Sequence, residues 1–360
     1  MATGDTQTSI AEWKASWSGE NKVMPSRKRL SSLPLSRQTA KVHRKDSPAT
    51  HVDADGSAEE EFDNNSSDDD YQPDAEEDQS EKDDPSTSEN DAEEEDYPRR
   101  TTIIPYEKLR PLDGVEYSST RVHKNTLRYL KDLRISNNRD WFKSHEREFR
   151  RAKKDWETFV ETLTPKIIAF DGTIPELPPR DIIFRIYRDL RFSRDQKPYK
   201  SHFSAAFSRT GRRRPYACYY LQLDPRSSYV GGGLWAPEPA TIHLLRQSID
   251  ERPEDWRQVL SSEPFRSMFL PAAKGETEGA LKEFAVANKE GALKTKPKGY
   301  DADHRDIELL KLRNYHVVKY VDDEIFTAED GQEKIIQIIS TLQPFVTFLN
   351  SIIMPDQSEH

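Results

Sequence analysis

Residues 53–96 carry 22 acidic side chains against one basic side chain, Lys82. Like charges at that density repel and hold a chain open, and the few large apolar side chains among them bury too little surface to offset the entropy of ordering. The poverty extends over residues 1–115, which hold 14 Lys+Arg and 28 Asp+Glu, whereas residues 116–360 hold 40 and 36 together with most of the Phe, Tyr, Ile and Leu. The net charge of −10 is therefore −14 plus +4, and the average describes neither part. A long disordered acidic arm, residues 1–115, is expected ahead of a single folded domain, residues 116–355, long enough for one substantial core.

Cys218 is the only cysteine, so no intrachain disulfide can form, which fits a reducing compartment. The N-terminus lacks an apolar core of signal-peptide type, and no run in the sequence reads as the roughly 18–20 apolar residues of a membrane span. An intracellular protein with no membrane role is expected. In the basic patch, residues 22–45, Arg27-Lys28-Arg29 is trailed by Arg37, Lys41, Arg44 and Lys45. That pattern suits nuclear import and favours the nucleus over the cytoplasm. Ser66 and Ser67 precede Asp68, Asp69 and Asp70 and suit an acid-directed kinase, whose phosphate would deepen the negative charge. Three roles are open to the arm: a solubilising tail, an electrostatic competitor for a basic face of the domain, or a binder of basic nuclear proteins.

Within the domain, Leu127, Leu130 and Leu133 recur at helical spacing, and Asn137 or Asn138 can cap the helix that follows. Residues 140–168 keep a helical pattern, with Pro165 placed to kink or end it. Strands are expected at 182–184, 203–207, 216–223, 229–234 and 315–321, and helices at 238–251, 254–261, 303–312 and 329–352. Strands gathered in the middle and flanked by helices give an α+β class with a mainly antiparallel sheet.

The densest cationic stretch is residues 180–214, with 11 basic residues against Asp181, Asp189 and Asp195. Arg185, Arg188 and Arg191 are three apart, so a helical turn would align them along one side. Guanidinium groups suit phosphate or carboxylate, and Lys197 and Lys200 would add point charges. Asp189, Tyr199 and His202 are the acid–base candidates of this stretch. The alternative reading makes Asp189 and Asp195 structural ion-pair partners of the arginines.

Arg-x-x-Arg-Asp-x-Arg-Phe-Ser-x-Asp from Arg185, followed by Pro198-Tyr199-Lys200, resembles the conserved family called domain of unknown function 2461. Asn137-Asn138-Arg139-Asp140-Trp141-Phe142, Gly231-Gly232-Gly233-Leu234-Trp235 and Pro297-Lys298-Gly299-Tyr300-Asp301-Ala302-Asp303-His304 are similar to further blocks of that family. The resemblance spans residues 123–352. It implies a member of the type found in fungi, where the domain sits in a longer chain, while most members are bacterial single-domain proteins. Bacterial members usually have Lys after the second Asp; here Gln196 stands there and Lys197 follows. The resemblance supplies no activity and no cofactor.

Gly231, Gly232 and Gly233 permit close backbone approach, either as an anion-binding nest or as a bulge or corner of the sheet. Asp301, Asp303 and His304 are the candidate metal ligands, and Asp303 serves equally as a helix cap. There is no Gly-Lys-Ser/Thr phosphate loop, no Gly-x-Ser-x-Gly elbow and no paired cysteines for zinc. Cys218, between aromatics in a strand, reads as core. Three functions remain. The leading one is a binding module for a phosphate-bearing partner, nucleic acid or phosphorylated ligand, through the Arg-rich segment. The second is an enzyme on a small anionic substrate held by the same arginines, and the third a nuclear scaffold in which they are architectural.

Overall fold

The computed structural model describes residues 105–191, 195–213 and 215–354. The basic patch 22–45 and the acidic tract 53–96 lie outside them. Residues 107–115, which composition groups with the arm, belong to the folded unit. Glu107 N donates to Ser144 O, Arg110 N to Glu148 Oε2, and Asn125 Nδ2 to Pro111 O.

The leucine spacing becomes α1 (Lys124–Ile135), which buries Leu127, Leu130 and Leu133. The helical pattern that follows is broken in two, as α2 (Arg139–Ser144) and α3 (Glu146–Ile168). His145 makes the break. Its ring stacks on Trp141 with centroids 4.0 Å apart, and its Nδ1 lies 2.8 Å from Trp141 O. Pro165 sits inside α3 and does not end it, since the helix runs on to Ile168. The expected strand at 182–184 is instead a short helix, α4 (Pro179–Ile182), opened by Pro179 and followed by a single bridge between Ile183 and Ala205.

The sheet has four antiparallel strands in sequence order: β1 (Phe203–Phe207), β2 (Cys218–Leu223), β3 (Tyr229–Leu234) and β4 (Tyr315–Tyr320). Between β3 and β4 come α5 (Pro239–Glu251), α6 (Pro253–Ser261), α7 (Phe265–Phe269), α8 (Thr277–Ala287) and α9 (Ile307–Leu310). After β4 the chain makes α10 (Glu324–Thr327) and the long α11 (Gly331–Ile353). The expected helix at 303–312 is therefore only the four residues of α9. Asp306 at its cap is withdrawn into a buried ion pair with Arg257, at 2.8 Å.

Alternation assigns the two faces of the sheet. Tyr219, Leu221, Leu223, Val230 and Val317 point into the core, where α11 and α3 lie. Gly232 shares that face. A Cβ there would stand 3.2 Å from Leu342 and 3.4 Å from Val346, so the glycine lets α11 settle directly on β3. By length and hydropathy α11 is apolar enough to cross a membrane, but Ile335, Ile339, Leu342, Phe345, Val346 and Leu349 are all core residues here. The structure is α+β, with an antiparallel sheet and flanking helices.

A cation-lined face of the sheet

The opposite face of the sheet carries the polar and aromatic side chains. Strand register places them in three rows: Ser204, Gln222, Tyr229 and Tyr320; Ala206, Tyr220, Gly231 and Val318; and Cys218, Gly233 and His316. Phe184 extends the first row beyond β1, since its N–H donates to Ser204 O, and its ring meets Tyr220 at 5.9 Å. Cys218, Tyr220, Tyr229 and His316 are only half-buried, unlike the core-facing residues between them.

The Arg-rich segment reaches this face as an irregular hairpin rather than a helical turn. Arg188 N donates to Pro198 O, Lys200 N donates to Ile186 O, and Tyr187 bridges Tyr199. Asn137 fixes the returning arm at two points, donating Nδ2–H to Tyr199 O at 2.8 Å and accepting Tyr199 N–H at 3.1 Å. Phe142 stacks on the Tyr199 ring at 3.9 Å, with 10° between the planes. Tyr199 is thus buried against α2, away from solvent.

The three arginines part company in this setting. Arg188 Nη1 bonds Asp195 Oδ2 at 2.7 Å and also reaches Lys197 O. Arg191 grips Asp189 through Nε and Nη2, at 3.0 and 2.5 Å. Both acids therefore brace the hairpin, and Asp189 is engaged by Arg191. Arg185 is exposed and makes no ion pair among the described residues, and the same holds for exposed Lys197 near the hairpin tip.

Lys200 stands at the inner edge of this group, half-buried, with Nζ 5.5 Å over the Phe184 ring. It too makes no ion pair among the described residues. Burial, reinforced by Arg185, Arg212 and Arg188, pushes its pKa down to about 8. His202, beside it, is pushed down to about 3 by burial and then by Lys200, Arg134 and Arg188. Across the sheet, burial takes the His316 imidazole down to about 4 and the Cys218 thiol up to about 12. At neutral pH the face therefore presents one half-buried ammonium, two neutral imidazoles and a protonated thiol. None of the positions in its three rows is a carboxylate.

Gly231, Gly232 and Gly233 lie inside β3, paired with β2 on one side and β4 on the other. Gly233 has φ of 123°, and a Cβ on it would meet Tyr315 O at 2.2 Å, so close approach of β4 is what requires the glycine. The run is part of the sheet rather than a nest: its backbone pairs within the ladder, and Gly231 and Gly233 leave part of the face without side chains. The block ending in His304 lies elsewhere. His304 Nε2 is 3.1 Å from Asp250 on α5, its Nδ1 accepts Asp306 N–H, and Asp301 and Asp303 are exposed. Among the described residues no group of three His, Cys, Asp or Glu is placed to hold a metal ion.

Sequence reasoning missed the face itself. The available sign was Tyr219-Tyr220 in β2, where both alternation positions are aromatic, so one ring had to lie on the side away from the core. Three of the four family-like blocks converge: Asn137 and Phe142 hold Tyr199, which delivers Lys200 beside the sheet carrying the glycines. A family model described as conserved hypothetical protein (DUF2461) matches residues 125–348, from α1 through most of α11. No curated protein and no solved structure matches the chain. The hairpin, the glycine-bearing strand and the helices that position them all fall within the match, and the chain belongs to the DUF2461 family of conserved hypothetical proteins.

Proposed function

We propose that the domain is a binding module for a phosphate-bearing partner, taken up at the mouth formed by Lys200 and Arg185 beside the open face of the sheet. The observation that supports this most is Lys200. It is a half-buried ammonium among arginines, with no described carboxylate to offset its desolvation. Such a placement costs stability unless an anion visits the site. Arg185 adds a fork suited to phosphate oxygens, and Arg188 is braced by Asp195 to hold the hairpin in shape. Binding is favoured over turnover because the three rows offer no carboxylate and both imidazoles stay neutral.

The test is calorimetric binding of inorganic pyrophosphate and ribose 5-phosphate to the full-length protein and to Lys200→Ala, Arg185→Ala and Lys334→Ala. Lys334, in the first turn of α11, pairs with Asp330 and serves as the control. Loss of one charge-assisted contact should weaken binding about tenfold or more in the first two variants. Affinity should also fall as pH rises through about 8, where Lys200 loses its proton, and Lys200→Arg should remove that dependence. Equal affinity in Lys200→Ala, Arg185→Ala and the control would sink the reading.

A further inference from the structure

We propose that the ligand is a nucleotide unit, with its base against the tyrosine row of the sheet and its phosphate at Lys200. This rests on the reading of the cationic mouth just given. The new observation is the ring row itself. Phe184, Tyr220, Tyr229 and Tyr320 cross all four strands, with successive centroids 5.9, 5.6 and 5.7 Å apart. The row starts at the cation, because Phe184 is the ring beneath Lys200. Tyr220 and Tyr229 are half-buried and Tyr320 is 45% exposed, so the row sits on the side of the sheet away from the core.

A base has a π-face to lay on those rings, which a ribose phosphate lacks. The row also carries a polar reader. Gln222 is only 9% exposed and takes the Tyr220 hydroxyl at 3.3 Å on Oε1, while its Nε2 has no hydrogen-bond partner among the described residues. That N–H is not sealed from solvent, so a ring nitrogen or carbonyl of a base laid on the face can accept it. Gly231, next to Tyr220 in register, adds no side chain to the space alongside. The unit can be a free mononucleotide or one residue of a single strand, since both bring the same base and phosphate.

The experiment titrates full-length protein with ribose 5-phosphate, AMP, UMP and a short oligoadenylate at one salt concentration. At least one of the base-bearing ligands should bind about tenfold tighter than ribose 5-phosphate, as stacking of one base implies. AMP or UMP doing so identifies a free nucleotide, and the oligonucleotide alone doing so identifies a single strand; both uphold the proposal. Tyr220→Leu should collapse the ratio of AMP or oligonucleotide affinity to ribose 5-phosphate affinity. Tyr220→Phe, which keeps the ring and should fold, should preserve most of it. Ribose 5-phosphate binding as tightly as every base-bearing ligand would overturn the nucleotide inference and leave the phosphate site standing. No binding by any of the four would remove the phosphate site and the inference together.

Discussion

Asp155 shows how far a single residue can depart from its sequence context. It sits on α3, 3% exposed, and its Oδ2 accepts His123 N at 2.8 Å and Thr126 Oγ1 at 2.6 Å, tying α3 to the start of α1. Oδ1 has no partner, in a cleft it shares with Tyr117, Arg151 and Lys154, and Arg151 is itself held by Glu148. Burial pushes the carboxyl up to about 6, against the pull of the two hydrogen bonds. The folded state thus holds a proton that the unfolded chain releases near pH 4, so stability falls as pH rises from about 4 through about 6. A shift of about two units is worth roughly 3 kcal/mol. Asp155→Asn keeps an oxygen for His123 and Thr126 but cannot ionise. Urea unfolding at pH 4.5 and 7.5 should show the wild type losing about 2 kcal/mol more than the variant, since the unfolded carboxyl is already mostly ionised at pH 4.5. Parallel profiles would mean the carboxyl ionises in the fold as it does in water. Nothing around position 155 in the sequence points to this, because the cause is burial by chain segments some thirty residues away.

At the scale of elements, the asparagines divide what could be read from what could not. Asn137-Asn138 reads as a helix cap, and Asn138 does cap α2, accepting Trp141 N–H at 2.9 Å. Asn137 instead serves a strand-like segment 62 residues away, with a side-chain amide standing in for a neighbouring peptide. Asn288 does the same on the outer edge of β4, bonding both His316 O and His316 N. Such pairs cover an edge that would otherwise recruit another strand, and their partners depend on tertiary position alone. The long, strongly periodic elements (α5, α6, α11, β3, β4) were legible because their own residues decide them. The hairpin was not, since residues three apart fit a helix or an extended arm, and pairing with 198–200 makes the choice. The short α7 and α8 were passed over because five residues give too little period to read, and Gly279 interrupts eleven. The two neighbouring asparagines make different predictions. Asn138→Ala should cost about 1 kcal/mol and leave phosphate binding unchanged. Asn137→Ala strands the Tyr199 backbone, costs about 2 kcal/mol, and should also weaken phosphate binding, because Lys200 follows Tyr199 directly. Denaturant titration and calorimetry on the folded fraction measure both quantities, and equal phosphate affinity in the two variants would dissociate the clamp from the site.

For the whole molecule the governing fact is the uneven charge. The tract at 53–96 carries a net −21, from 22 acids and one lysine, while residues 180–214 carry +8 on the same chain. Two such segments joined covalently meet at an effective concentration no free ligand needs to match, and weak attraction then suffices for competition. If the tract competes for the mouth, a phosphate ligand has to displace it wherever the charges are unscreened. At 0.1 M salt the screening length is about 10 Å, and at 1 M about 3 Å, so the competition should fade with salt faster than a close contact in the mouth does. The prediction compares residues 105–360 with the full chain, binding pyrophosphate from 50 mM to 1 M salt. The shorter protein should bind several-fold tighter at the low end, and the two curves should converge at the high end. If the curves coincide throughout, the tract is a solubilising tail. If they differ by a constant factor at every salt concentration, the arm acts through something other than its charge. Only convergence ties the acidic sequence to the cationic mouth, and it does so without any specific contact between them.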